Sequence, residues 1–156
     1  MPRERVRETF RQLREQGVQI ASLNGSFDLL HAGHLEMIYQ ASLQGDVLVV
    51  ALNTDRSIQE YKSPLRPIVT LLHRMQMIGA LEMVDFVTYF DEVDPRAILQ
   101  EIMPHVHVNG VEYAPRCIES EVVESYGGRV HFVDLVPGLS TSHIISKIQS
   151  LSDHHE

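Results

Sequence analysis

Two rhythms of apolar residues alternate along the chain. Val6, Phe10 and Leu13 fall at i, i+4 and i+7 among charged and polar neighbours, which predicts an amphipathic helix over residues 3–16 that ends at Gly17. Such a helix covers one side of a sheet or meets an adjoining subunit. Residues 18–23 form a short, mainly apolar first strand, and a helix over 33–44 follows, stopped by Gly45. Residues 47–52 are apolar without alternation, the pattern of a strand buried on both faces in a parallel sheet. The polar residues Asn53, Thr54 and Asp55 end it. Residues 55–69 read as irregular, because Pro64 and Pro67 cannot both sit inside a regular helix. Thr70 is placed to cap a helix carrying Leu71, Met75 and Ile78 on one face, and residues 86–90 are a third strand by β-propensity.

The same alternation continues to the end. Asp94 as cap and Pro95 as first residue open a helix with Ile98 and Ile102 inward, and Pro104 closes it. Val106, His107 and Val108 predict a fourth strand with Asn109-Gly110 as its turn. Pro115 begins a helix with Ile118, Val122 and Tyr126 in register, stopped by Gly127-Gly128. Residues 130–133 are a fifth strand. The segment 139–142 leads into a last helix with Ile144, Ile145 and Ile148, and residues 152–156 read as a frayed tail. Strands alternating with helices predict a Rossmann-like α/β fold: an open five-stranded parallel sheet with helices on both faces and right-handed crossovers, one domain spanning 1–156. Ligands in such sheets lie beyond the carboxyl ends of the strands, near the point where strand order reverses. The polar ends of strands one, two, four and five are therefore expected to converge.

Composition narrows the classes. A chain of 156 residues can bury a core without a disulfide or a structural metal. Its net charge of −8 and lack of a basic stripe argue against non-specific nucleic-acid binding, which needs clustered Lys and Arg. One cysteine, Cys117, excludes an internal disulfide and a Cys-rich zinc site and reads as a small, partly buried residue. No apolar run approaches the length of a membrane span, and the N-terminus lacks a signal-peptide core, so no membrane association and a cytoplasmic location are expected. No metal-ligand cluster is visible. His105 and His107 lie at and within a strand, facing solvent or a helix, and Asp153, His154 and His155 belong to the tail.

The chemistry-bearing stretch is Asn24-Gly25-Ser26-Phe27-Asp28 followed by His31-Ala32-Gly33-His34. A glycine turn between a strand and a helix lets backbone N–H groups approach an anion, and the helix N-terminus adds its dipole. Histidines at i and i+3 can address one bound group. Asp28 suits an Asx turn that shapes the loop. Ser140, Thr141 and Ser142 open the last helix, where hydroxyls either cap it or meet phosphate oxygens. Lys62 and Arg66 sit on a proline-containing loop, and Arg74 on a helix where a surface salt bridge is the default.

These residues resemble the nucleotidyltransferase superfamily with the HxGH motif, in its cytidylyltransferase-like branch. Within that branch the chain is most similar to the heptose 1-phosphate adenylyltransferase domain of the bacterial ADP-heptose synthesis enzymes. The resemblance runs from about Phe10 to Ile148 and takes in residues 52–55, Lys62, the 66–68 segment, Arg74, residues 84–85, 126–128 and 139–142. It implies transfer of AMP from ATP to a sugar phosphate with release of pyrophosphate, magnesium arriving with the triphosphate. It assigns His31, His34 and Lys62 to catalysis. Asn24, Gly25, Ser26, Phe27, Gly33, Asn109, Ser140, Thr141 and Ser142 are assigned to the nucleotide. Asn53, Asp55, Arg66, Arg74 and Glu112 are assigned to the acceptor or its phosphate. Related proteins are commonly homodimers.

One stretch departs from that pattern. Where the heptose-type branch has a lysine and a Gly-Gly-Asp-Tyr turn after strand four, this chain reads Val108-Asn109-Gly110-Val111-Glu112-Tyr113. A cation and a glycine are lost near the expected base and acceptor pocket. Three other readings stay open: a cytidylyltransferase acting on glycerol 3-phosphate or another polyol phosphate, a cofactor-precursor adenylyltransferase, and a non-catalytic nucleotide-binding module. Asp28-Leu29-Leu30-His31, with no proline before the first histidine, favours the sugar and polyol branch.

Overall fold

The computed structural model describes residues 1–152; the expected tail residues 153–156 lie outside them. Five strands, β1 (Ile20–Gly25), β2 (Val47–Asn53), β3 (Phe86–Phe90), β4 (Val106–Gly110) and β5 (Arg129–Val133), form one parallel sheet in the order β3-β2-β1-β4-β5. The order reverses between β1 and β4, as predicted for a doubly wound sheet. Pairing across that junction is confined to Ala21 with Val106 and Ser22 with His107. Beyond it β1 and β4 run on without pairing to each other, and a crevice opens between their carboxyl ends.

Alternate side chains of the sheet feed two cores. On one face Ile20, Val49 and Phe90 pack with Val6 and Phe10 of α1 (Val6–Glu15) and with Ile98 and Ile102 of α5 (Arg96–Ile102). The first helix thus covers the sheet, and residues 3–5 precede it as a single 3₁₀ turn. A smaller cluster joins Leu99 to Val122 and Val123 of α6 (Ile118–Ser125) on that side. On the opposite face Ala21, Leu23, Leu48, Val50, Leu52 and Val108 pack with Ile38 and Ala41 of α2 (Ala32–Ser42) and Ile78 of α4 (Leu71–Gly79). The last helix, α7 (Thr141–Ser152), leaves Ile148 and Leu151 58% exposed. No helix among the described residues is long and apolar enough to cross a membrane.

Several local expectations are corrected. Residues 55–69 are not irregular throughout: α3 (Asp55–Tyr61) begins them, because the Thr54 hydroxyl accepts the Ser57 N–H and the prolines come only after the helix has ended. Thr70 makes no side-chain cap; the Asp55 carboxylate accepts the Leu71 N–H in its place. Asn109 and Gly110 belong to β4 rather than to a turn. Pro115 lies inside a 3₁₀ stretch, Val111–Arg116, and α6 starts only after Cys117, whose extended backbone breaks the two apart. His107 does not face solvent. It is fully buried beside β1, its Nδ1 2.7 Å from the Ser22 hydroxyl, and burial pushes its pKa down to about 3.

Candidate active site

A cavity of about 360 Å³ occupies the crevice at the β1/β4 switch point. The turn from β1 to α2 forms its floor and contributes Asn24, Gly25, Ser26, Phe27, His31, Gly33 and His34. Phe27 and Leu29 hold positive φ angles of 50° and 47°, a conformation that costs non-glycine residues free energy and persists only where the surroundings impose it. Here Asp28 imposes it. Its side chain is 1% exposed and its carboxylate accepts the Ile68 and Val69 N–H groups at 2.8 and 2.9 Å and Arg66 Nε at 2.9 Å. Burial alone would raise this carboxyl; the three donors outweigh it and hold the group below the usual carboxylate range. Its backbone carbonyl accepts the Thr141 hydroxyl at 2.7 Å. One residue therefore ties the glycine turn to the 62–69 loop and to the start of α7.

The two histidines orient each other. His31 is the N-cap of α2: its Nδ1 accepts the Gly33 N–H at 3.1 Å, while His34 Nδ1 accepts the His31 N–H at 3.3 Å. This is a capping box built from imidazoles. The rings stack at 3.8 Å between centroids, and Phe27 sits 5.3 Å from His34 on its other flank. Because both Nδ1 atoms act as acceptors, each neutral ring carries its proton on Nε2. Burial, then repulsion from His31 and Lys62, pushes His34 down to about 4, and burial lowers His31 as well. At neutral pH the pair thus offers two uncharged Nε2–H donors. Gly33 is required between them, since a Cβ there would meet the His31 ring at 2.9 Å and Leu139 at 3.2 Å.

The far walls carry the remaining polar groups. Lys62 and Arg66 line one side; burial and the Arg66 charge lower the Lys62 ammonium from its ordinary value. Asn109 and Glu112 line the opposite side, together with Tyr113. Ser140, Thr141 and Ser142 close the cavity at the N-terminus of α7, where Ser140 accepts the His143 N–H as the cap and Thr141 is bound to Asp28. Such a lining, rich in N–H and O–H donors with two cations, suits an anion. Among the described residues no group of three or more His, Cys, Asp or Glu side chains could hold a metal ion.

Three residues expected here lie beneath the cavity instead. Arg74 is 1% exposed; it donates to the carbonyls of Ser26, Asn53 and Val69 and to the Asp55 carboxylate at 2.7–2.9 Å. Asp55 holds Arg74 and the Leu71 N–H, and Asn53 is buried against the Ser57 hydroxyl. All three are spent on joining β1, β2, α3 and α4, so the carboxyl end of β2 supports the site without lining it. Tyr61, absent from the expected residues, also reaches the glycine turn: its hydroxyl lies 2.5 Å from that of Ser26. The only signal for it was its place immediately before Lys62.

Comparison with known proteins agrees with this geometry. Residues 22–150 match the family described as cytidylyltransferase-like. The chain is 40% identical over 147 residues to the bifunctional protein HldE of Syntrophotalea carbinolica, covering 94% of this chain and 30% of that protein. It is 44% identical over 136 residues to HldE of Geotalea uraniireducens, with coverages of 86% and 28%. The chain thus spans less than a third of the length of these relatives. A lipopolysaccharide core biosynthesis protein from Thermoplasma volcanium shares the fold at a TM-score of 0.63 and 24% identity, over 77% of this chain and 98% of that one. Fold, motif and match together place the chain in the cytidylyltransferase-like family of nucleotidyltransferases.

Proposed function

We propose that this chain transfers AMP from ATP to a sugar phosphate of the heptose 1-phosphate type and releases pyrophosphate. The observation that carries the proposal is the neutral, mutually oriented pair His31 and His34 in a cavity that also holds Lys62 and Arg66. Similarity to the bifunctional HldE proteins over most of this chain supports the heptose acceptor.

An acceptor phosphate is already ionised at neutral pH, so its oxygen attacks the α-phosphorus without a general base. A P–O bond forms at that phosphorus, the bond to the β-phosphate oxygen breaks, and pyrophosphate leaves. What the protein supplies is alignment and stabilisation of charge on the α-phosphate. The Nε2–H donors of His31 and His34 and the Lys62 ammonium meet that charge. The backbone of Asn24, Gly25, Ser26, Phe27 and Gly33 lets the nucleotide come close, and Ser140, Thr141 and Ser142 receive the triphosphate. Thr141 retains a hydroxyl oxygen able to accept only, so its backbone N–H is the donor. Asn109 faces the nucleoside, while Arg66 and Glu112 face the acceptor. The substrate form is the magnesium complex of ATP, its metal held by phosphate oxygens and water, which fits a cavity lined by donors rather than by clustered carboxylates.

The test is a pyrophosphate-release screen of ATP, CTP, GTP and UTP against heptose 1-phosphates, other sugar phosphates and polyol phosphates. The proposal expects the highest kcat/KM for ATP with a heptose 1-phosphate. Preference for CTP with glycerol 3-phosphate would transfer the reading to a polyol cytidylyltransferase. Nucleotide binding without turnover for any pair would leave a binding module.

A further inference from the structure

Tyr61 ends α3, directly before the loop that carries Lys62 and Arg66. Its hydroxyl is 2.5 Å from Ser26 Oγ, within the glycine turn that floors the crevice. The Lys62 ammonium lies over its ring, 5.4 Å from the centroid, close enough for a cation–π attraction. The far end of the loop is fixed separately, by the Ile68 and Val69 N–H bonds to Asp28. The loop is therefore pinned to the same turn at both ends, and Tyr61 is the pin next to the lysine.

We propose that Tyr61 is a positioning residue: its ring and hydroxyl together hold the Lys62 ammonium in register with the phosphate-facing turn. The hydroxyl fixes the ring against Ser26, and the ring gives the ammonium a resting place that does not consume its N–H donors. A lysine side chain otherwise carries large rotamer freedom that must be lost when it meets a phosphate. Prior restraint by Tyr61 removes part of that loss before the ligand arrives, as preorganisation does elsewhere. This inference rests on the proposed assignment of Lys62 to the phosphates.

A double-mutant cycle separates this role from mere support of the fold. Tyr61→Phe keeps the ring and removes the hydroxyl; Tyr61→Leu removes both. Each is made in the wild-type and in the Lys62→Ala background. Binding of tripolyphosphate and of ATP is measured by calorimetry, and kcat and KM by pyrophosphate release. The expected result is a graded loss, about threefold for Tyr61→Phe and about tenfold for Tyr61→Leu, seen in anion affinity and in kcat. In the Lys62→Ala background neither substitution costs anything further. Losses that multiply unchanged in that background would overturn the inference and make Tyr61 a structural residue only, as would wild-type affinity in both variants. If the wild-type protein binds the anions and turns over no acceptor, the transferase reading fails while the binding cycle still decides Tyr61. If it binds neither anion, both fail.

Discussion

His31 and His34 show how backbone chemistry sets side-chain chemistry at this site. Each uses Nδ1 to satisfy an N–H at the start of α2, so helix capping and presentation of Nε2–H are one arrangement rather than competing roles. Gly33 is the spacing that allows it. Gly33→Ala is expected to keep the fold but drive the His31 ring from its cap, lowering kcat by ~10²-fold, about the worth of one preorganised donor. Wild-type kcat in a folded Gly33→Ala protein would refute that. The same pair gives a pH signature. His34 titrates near 6.5 when free and near 4 in the folded chain, so on acidification the unfolded chain takes up the proton first. Stability contributed by the neutral ring is whole above pH 6.5 and is lost as pH falls through the window down to about 4. Thermal unfolding of wild type and His34→Asn between pH 7 and 4 checks this. The wild-type Tm should fall more steeply; parallel curves would mean that His34 is not depressed.

At the scale of elements, Arg74 is the joint. Its guanidinium ties the β1 turn, the end of β2, α3 and the loop before α4 through four acceptors. Arg74→Met leaves three carbonyls without that donor and Asp55, 38% exposed, with the Leu71 N–H alone; leaving buried acceptors unsatisfied in this way costs about 1–3 kcal/mol. Urea unfolding should show a loss of that order; a change under about 1 kcal/mol would return Arg74 to the role of a ligand. The elements themselves were legible where periodicity was strong. The unbroken run of β2 and the i, i+4 rows of α1 and α5 needed no tertiary information. What stayed hidden depended on partners distant in sequence. Nothing in the order Arg74, Asp55, Asn53 says that a cation sits under the strand ends and consumes both side chains. Similarly, prolines at 64 and 67 obscured the short α3, whose cap at Thr54 lies upstream of them. Whether His107 faced solvent or a helix stayed open for the same reason, since its partner Ser22 is on another strand.

For the molecule as a whole, the strand order decides where chemistry is possible. Reversal between β1 and β4 opens a crevice, and the glycine turn, the loop of Lys62 and Arg66, the end of β4 with Glu112 and Tyr113, and the start of α7 all meet there. A chain of net charge −8 thereby gathers two cations, Lys62 and Arg66, and many N–H and O–H donors in one cavity, where they offset the carboxylates of Asp28 and Glu112 and can meet an anionic substrate. The end of β4 and the 3₁₀ stretch after it, where Asn109 and Glu112 depart from the heptose-type pattern, line the cavity together with Lys62 and Arg66; discrimination among acceptors is expected to map to that wall and the reaction itself to the histidine pair. The most direct measurement is transfer of an α-phosphate label from ATP to heptose 1-phosphate by the wild type and by His31→Ala and His34→Ala. The account predicts labelled nucleotide sugar with equimolar pyrophosphate, and losses of ~10²-fold or more in each variant. Label that moves to no phosphate acceptor, or moves equally well without either histidine, would contradict it.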